Sequence, residues 1–247
     1  MDPRLKHAGM TKSDIYKMAS KVTMSFLEKP IKVLYEDDQF MAFDKPAGVL
    51  VIPSPENESN TLVHIVNHQH KNDHWKLHPC HRLDRETSGV ILFAKGKHNQ
   101  QLGMEAFHQK KVKKVYWAFV QGRPSKPSGE IRSNIRDLDQ KKFHRHSEGQ
   151  FAITRYKILE PHRHFSVVQI EPVTGRTNQI RIQFKQLGHP LVGDRKYSFA
   201  RDFAVKFRRT ALHAHSLEWK NPVTDQFIKI TAPLPEDMEV FLARNRN

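Results

Sequence analysis

The chain has 247 residues, 38% hydrophobic and 27% charged, enough apolar material for one large or two small domains and too much for a disordered chain. Forty-one Lys and Arg against 26 Asp and Glu leave a net charge of +15, which points to a polyanionic partner, nucleic acid first. No apolar run approaches bilayer length, the N-terminal stretch has no apolar signal core, and a lone Cys80 excludes an internal disulfide, so a cytoplasmic, membrane-free protein is expected.

Residues 1–28 are polar and Lys-rich and read as an arm, leaving 29–247 as the folded domain. Ile31–Tyr35 and Phe40–Asp44 read as strands around a turn at Asp37-Asp38. Lys45-Pro46-Ala47-Gly48 forces a second turn, after which Val49–Ile52 continues as strand up to Pro53. Thr61 is placed to cap a helix carrying Leu62, Ile65 and Val66 on one side. Val90–Ala94 is a buried strand bounded by Gly89 and Gly96, and a helix follows over His98–Gln109.

Val112–Val120 reads as a strand, with Tyr116, Ala118 and Val120 on one face and Val115, Trp117 and Phe119 on the other. Gly122–Gly129 is a loop, read as joining two halves of the molecule. Phe151–Leu159 and Phe165–Glu171 form an antiparallel pair around Pro161–His164. Thr177 caps a helix with Ile180, Phe184 and Leu187 on its apolar side, ending at Gly188. Two strands near Leu212–Trp219 and Phe227–Ile230 close the chain. Antiparallel strands interspersed with helices argue an α+β fold.

The chemistry centres on His81-Arg82-Leu83-Asp84-Arg85-Glu86-Thr87-Ser88-Gly89. One carboxylate lies between two guanidinium groups in a loop that feeds the Val90–Ala94 strand, a common place for a reactive group. A cation beside Asp84 favours its ionised form and leaves it available as a nucleophile. Alone, such a loop reads more readily as a salt-bridged surface turn. Three further segments change the balance. They are Lys113-Lys114-Val115-Tyr116-Trp117-Ala118-Phe119-Val120-Gln121-Gly122, Glu171-Pro172-Val173-Thr174-Gly175-Arg176-Thr177-Asn178-Gln179-Ile180-Arg181-Ile182, and Leu187-Gly188-His189-Pro190-Leu191-Val192-Gly193-Asp194-Arg195-Lys196-Tyr197, the last followed by Leu212-His213-Ala214-His215. The histidines between His64 and His81 lack the partners of a complete ligand set, so no metal is expected. No phosphate-loop or dinucleotide motif is present, so no nucleotide cofactor is expected.

In these segments and in the lead-in Lys45-Pro46-Ala47-Gly48 the chain resembles the RluA-type RNA pseudouridine synthases, in the same order from about Val33 to Leu234. The resemblance implies a mixed, mainly antiparallel sheet with flanking helices and a central catalytic cleft. It implies an isomerase that detaches uracil from C1′ of a uridine in ribosomal or transfer RNA, turns it and rejoins it through C5, without cofactor. Asp84 is then the essential residue. Attack on the sugar, attack on the base and proton removal all remain open to it. Arg181 matches the basic residue paired with this Asp, and Tyr116 the active-site tyrosine. Arg82 matches the arginine that fills the RNA stack when the base is flipped out. Arg176 and Gln179 fall in the same RNA-contacting motif.

Where the family usually has His, this chain has Asn178. That departure is the sequence support for an alternative, a catalytically inactive basic RNA-binding protein of the same fold. An N-terminal S4-type RNA-binding domain is not expected in so short a leading segment. Its absence would favour small structured targets such as tRNA arms. A monomer would serve, and the sequence leaves the oligomeric state open.

Overall fold

The computed structural model describes residues 30–54, 61–136, 149–198 and 204–246. The expected N-terminal arm, residues 1–28, lies outside them. The described elements are, in chain order, β1 (Val33–Glu36), β2 (Phe40–Lys45), α1 (Leu62–Gln69), β3 (Leu77–Pro79), β4 (Ser88–Lys95), α2 (Lys97–His108), β5 (Lys113–Gln121), β6 (Ser128–Ile135), β7 (Gln150–Pro161), β8 (Phe165–Pro172), α3 (Gln179–Gln186), β9 (Leu212–Lys220), β10 (Phe227–Thr231) and α4 (Glu236–Arg244).

The strands form one sheet in the order β1-β2-β4-β9-β5-β8-β7-β6, with β10 beside β9 and β3 beside β4. Every described pairing is antiparallel except β4 with β9, which is parallel. This is the expected α+β architecture, a mixed and mainly antiparallel sheet with flanking helices.

The unbroken apolar run of β4 follows from burial on both faces. Ile91 and Phe93 pack with Met41 and Phe43 of β2 against Leu62, Ile65 and Val66 of α1. Val90, Leu92 and Ala94 turn the other way, toward Trp219, Ile228 and Ile230 and Ala106 of α2. The far half of the sheet repeats this arrangement. Ala118, Val120 and Ile170 pack against Ile180 and Phe184 of α3. Phe119, Phe165 and Val167 pack against Met238, Phe241 and Leu242 of α4. The alternation read from the sequence for β5 is therefore the alternation of two cores.

Several local expectations differ from the structure. Val49–Ile52 is not a strand: Val49 and Val51 are buried in the first core as loop anchors, and the main chain of Leu50 and Val51 accepts bonds from the start of α1. Thr61 occupies the N-cap position of α1 but makes no side-chain capping bond. The residue before α3 is Asn178, not Thr177, and it adopts left-handed backbone with φ +53°. Gly122–Gly129 leads from β5 to β6, an edge strand of the same sheet. The sequence reading did not contain β3, β6 or α4. In β6 the alternation is between half-exposed and exposed residues, so it carries little apolar signal.

The single parallel contact positions the site. Ser88 and Gly89 pair with His213 and Ala214, and Ala214 pairs on its other side with Tyr116 of β5. The loop before β4 therefore opens beside Tyr116. Gly89 has φ +107°, and a Cβ there would stand 2.2 Å from the Ala214 carbonyl oxygen, so only glycine allows this approach.

Candidate active site

The Asp84 loop is held from beneath. Leu83 inserts into the first core beside Ile91 and Ala214. The carbonyls of three successive residues are then taken in turn. Asp84 accepts from the Thr87 N–H at 3.1 Å, and Arg85 from the Gly48 N–H at 2.8 Å. The Arg85 carbonyl also accepts from Lys45 Nζ at 3.1 Å, and the Glu86 carbonyl from Arg209 Nη1 at 3.0 Å. The Glu86 carboxylate accepts from the Thr210 N–H and hydroxyl at 2.9 and 2.7 Å. A loop with its carbonyls and side chains committed inward presents the Asp84 carboxylate outward on a fixed backbone.

Two buried cations do this holding. Lys45 is fully buried. Burial, with repulsion from Arg209, pushes its ammonium down to about 7 against the opposing pull of Asp84. Arg209 forks onto Asp237 of α4 with Nε and Nη2 at 2.7 and 2.8 Å. The C-terminal helix is thereby tied to the loop that carries Asp84. Ser88 continues the network with a 3.0 Å bond to His213 Nδ1. Burial holds His213 down at about 4, so it works here as a neutral ring. The same holds for His81, which burial brings down to about 3, which accepts from the Leu92 N–H and which stacks on Phe107.

Arg181 approaches from α3, which packs on the Tyr116 face of the sheet. Its Nη1 lies 3.6 Å from Asp84 Oδ2, with the two side chains 13% and 29% exposed. The guanidinium is oriented by a second carboxylate. Nε and Nη2 donate to Asp194 at 2.7 and 2.9 Å, and Nη1 donates to Asn178 Oδ1 at 2.7 Å. Asp194 is itself buried and accepts from the main-chain N–H groups of Lys196 and Tyr197. Burial works against the charge of Arg181, but Asp194 and then Asp84 more than offset it and raise its pKa further. The face of Tyr197 lies 5.0 Å from the guanidinium and adds a cation–π contact.

Asp84, Tyr116 and Arg181 line one cleft of about 760 Å³, together with Arg82, Arg176, Asn178 and Gln179. Tyr116 is held in its neutral form by burial and by the Asp84 charge, both of which raise its pKa. Arg82 and Arg176 are exposed on the rim. The Gln179 amide is turned into the protein. It donates to the Ile153 carbonyl and the Thr154 hydroxyl, and accepts from the Thr174 hydroxyl and the Arg176 N–H.

Sequence reasoning singled out neither Asp194 nor Arg209. Asp194 stands inside a quoted motif, but a carboxylate's partner is invisible without the fold. Arg209 belongs to the basic run Lys206-Phe207-Arg208-Arg209, whose charge gives no sign that one member is buried. Among the described residues no group of three or more His, Cys, Asp and Glu side chains could hold a metal ion, and no helix is long and apolar enough to cross a membrane.

Comparison with known proteins places this arrangement. The family model described as RNA pseudouridylate synthase matches residues 39–186. An uncharacterized RNA pseudouridine synthase of Chlorobaculum parvum is 37% identical over 244 residues, covering 88% of this chain and 75% of that protein. Ribosomal large subunit pseudouridine synthase D of Xanthomonas campestris is 33% identical over 231 residues, covering 88% and 70%. The solved structure of human RNA pseudouridylate synthase domain containing 4 superposes with a TM-score of 0.72 at 25% identity, over 94% of this chain and 98% of that one. The family model spans more than half of the sequence and the solved fold nearly all of it: the chain belongs to the RNA pseudouridylate synthase family.

Proposed function

We propose that the protein isomerises uridine to pseudouridine in ribosomal RNA, in the cytoplasm, with Asp84 as its essential carboxylate. The observation that carries this reading is the contact between Asp84 and Arg181, two residues from distant segments meeting in a cleft floored by Tyr116. In the reaction the N1–C1′ bond breaks and a C5–C1′ bond forms. The proton lost from C5 is balanced by one gained at N1, so nothing is added overall. A carboxylate can trap or stabilise the positive charge that develops at the sugar. Glycoside hydrolysis would call for a second carboxylate to handle water. The other carboxylate lining this cleft, Glu171, accepts a bond from Gln169 instead.

The roles follow from position. Arg181 orients Asp84, and Tyr116 stacks on the uracil or takes part in the C5 proton transfer. Arg82, exposed on the rim two residues before Asp84, is placed to enter the stack that the flipped nucleotide leaves. Arg176 contacts the RNA backbone. The inward hydrogen bonds of Gln179 support a different part for it, shaping the loop that presents Arg176. Ribosomal RNA is favoured because two relatives that match 88% and 97% of this chain carry ribosomal large subunit pseudouridine synthase names.

Asn178 bears on the inactive alternative. Its side-chain oxygen fixes the Arg181 guanidinium, a task that needs an acceptor and no titrating group. The left-handed backbone there also suits asparagine. Both observations favour an active enzyme. The test is tritium release from 5-tritiated uridine in ribosomal RNA. Asp84→Asn is expected to abolish release while RNA affinity stays within about twofold, since a cleft carboxylate adds nothing to phosphate attraction. No release by the intact protein from any cellular RNA would overturn the reading.

A further inference from the structure

Lys114 lies two residues before Tyr116 on β5 and so shares its face of the strand, about 7 Å away along the chain. It lines the same cleft and is half-buried, and its removal from water pushes the ammonium below the ordinary lysine pKa. A Cβ on Gly175 would lie 3.7 Å from its Nζ, so the side chain reaches toward the loop between β8 and α3.

Three neighbouring cleft cations already have anions, and Arg82, Lys110, Lys111 and Arg176 on the cleft lining are exposed to water. Lys113 Nζ is 3.7 Å from Glu218, Arg155 Nε is 2.8 Å from Glu130, and Arg181 is forked onto Asp194. Lys114 has neither a carboxylate partner nor a hydrogen bond among the described residues. A cation withdrawn from water without a counter-charge is unfavourable until an anion arrives. On the reading of this cleft given above, the arriving ligand carries one anionic phosphodiester per nucleotide.

We infer that Lys114 is the binding residue for a backbone phosphate of the extruded nucleotide. It anchors the sugar-phosphate on the Tyr116 side of the cleft while Asp84 and Arg181 act at the sugar and base. The assignment rests on the proposed function for the nature of its ligand, and its test is made on binding alone.

The measurement is fluorescence anisotropy of a 5′-fluorescein-labelled uridine 12-mer, titrated at several KCl concentrations against the full chain. Lys114→Met is expected to bind at least roughly tenfold more weakly, the worth of one hydrogen bond to a charged group. Its log Kd against log salt should be shallower by about 0.7, the slope of one single-strand phosphate contact. Lys114→Arg should retain both values, and Lys229→Met, whose ammonium pairs with Glu218 at 3.1 Å and does not line the cleft, should change affinity by less than about twofold.

A neutral methylphosphonate linkage, walked along the 12-mer, should weaken wild type and Lys114→Arg at one shared position and leave Lys114→Met indifferent there. Wild-type affinity and slope in a folded Lys114→Met protein would overturn the assignment. If that variant does not fold, the assignment fails when Lys114→Arg lacks a position-specific methylphosphonate penalty. Failure of tritium release by the wild type with these binding differences intact would reject the enzymatic reading and not the phosphate contact.

Discussion

Removing the charge of Asp194 tests how the site is organised, because Asp194 touches neither the cleft opening nor Asp84. Its carboxylate takes two of the Arg181 N–H groups and leaves Nη1 for Asp84 and Asn178. In Asp194→Asn an amide nitrogen faces the guanidinium, and the fork is lost. At 3.6 Å and an effective dielectric of about 20, Arg181 and Asp84 attract by about 4.6 kcal/mol. Retreat of the guanidinium to about 6 Å lowers that to about 2.8 kcal/mol, a loss equivalent to about 20-fold in rate. Water reaches Asp84, 29% exposed, and screens part of this, so a fall in kcat of about five- to twenty-fold is expected. Single-turnover tritium release separates the effect from RNA binding, and KM should change by less than about threefold. A lowered Tm is expected as well, since breaking a buried ion pair costs about 3–5 kcal/mol. Unchanged kcat in a folded but less stable variant would show that Asp194 stabilises the fold without positioning Arg181.

The remaining predictions concern neighbouring residues. Asn178→His, which keeps a ring nitrogen able to accept from Arg181, should stay within about threefold of wild-type kcat, whereas Asn178→Ala should lose about tenfold, as expected for one charge-assisted bond. Equal rates for the two variants would remove the role given to the Asn178 oxygen. Gly89→Ala should destabilise by about 3 kcal/mol or more in urea unfolding, because the methyl meets the Ala214 carbonyl and the backbone is left-handed. A change below about 1 kcal/mol would contradict the tight parallel seam.

The pH dependence of stability has two arms. Lys45 holds its proton more weakly when folded, at about 7, than in the unfolded chain at 10.5. The unfolded state therefore binds more protons between these values, and stability rises with pH across that window by up to about 1.4 kcal/mol per unit. Lys45→Met should flatten that rise in urea midpoints measured from pH 7 to 9. His213 and His81, at about 4 and 3 when folded against 6.5 unfolded, are protonated first in the unfolded chain. Stability should fall as the pH drops from about 6.5 toward those values, and a flat acid profile would contradict their burial as neutral rings.

Local pattern carried a large part of the fold. The β4 run, the two-faced alternation of β5 and the α3 periodicity each depend on residues close in sequence, and each was legible there. The motifs that carry Asp84, Tyr116 and Arg181 were legible too, because they lie in order along the chain and the family resemblance attaches to them. Val49–Ile52 was misread for the same reason: an apolar tetrapeptide looks alike whether it joins a sheet or plugs a core. The edge strand β6 was missed because its residues remain largely in water.

What the sequence alone determined, then, was which chemistry is present and which faces are apolar, since charge, periodicity and motif are properties of neighbours along the chain. Only the tertiary structure decided how those groups are held. The fork of Asp194 on Arg181 and the grip of Arg209 on a carbonyl 123 residues away are pairings between segments. Such pairings arise when the sheet brings β4, β9 and β5 side by side, and no local pattern encodes them.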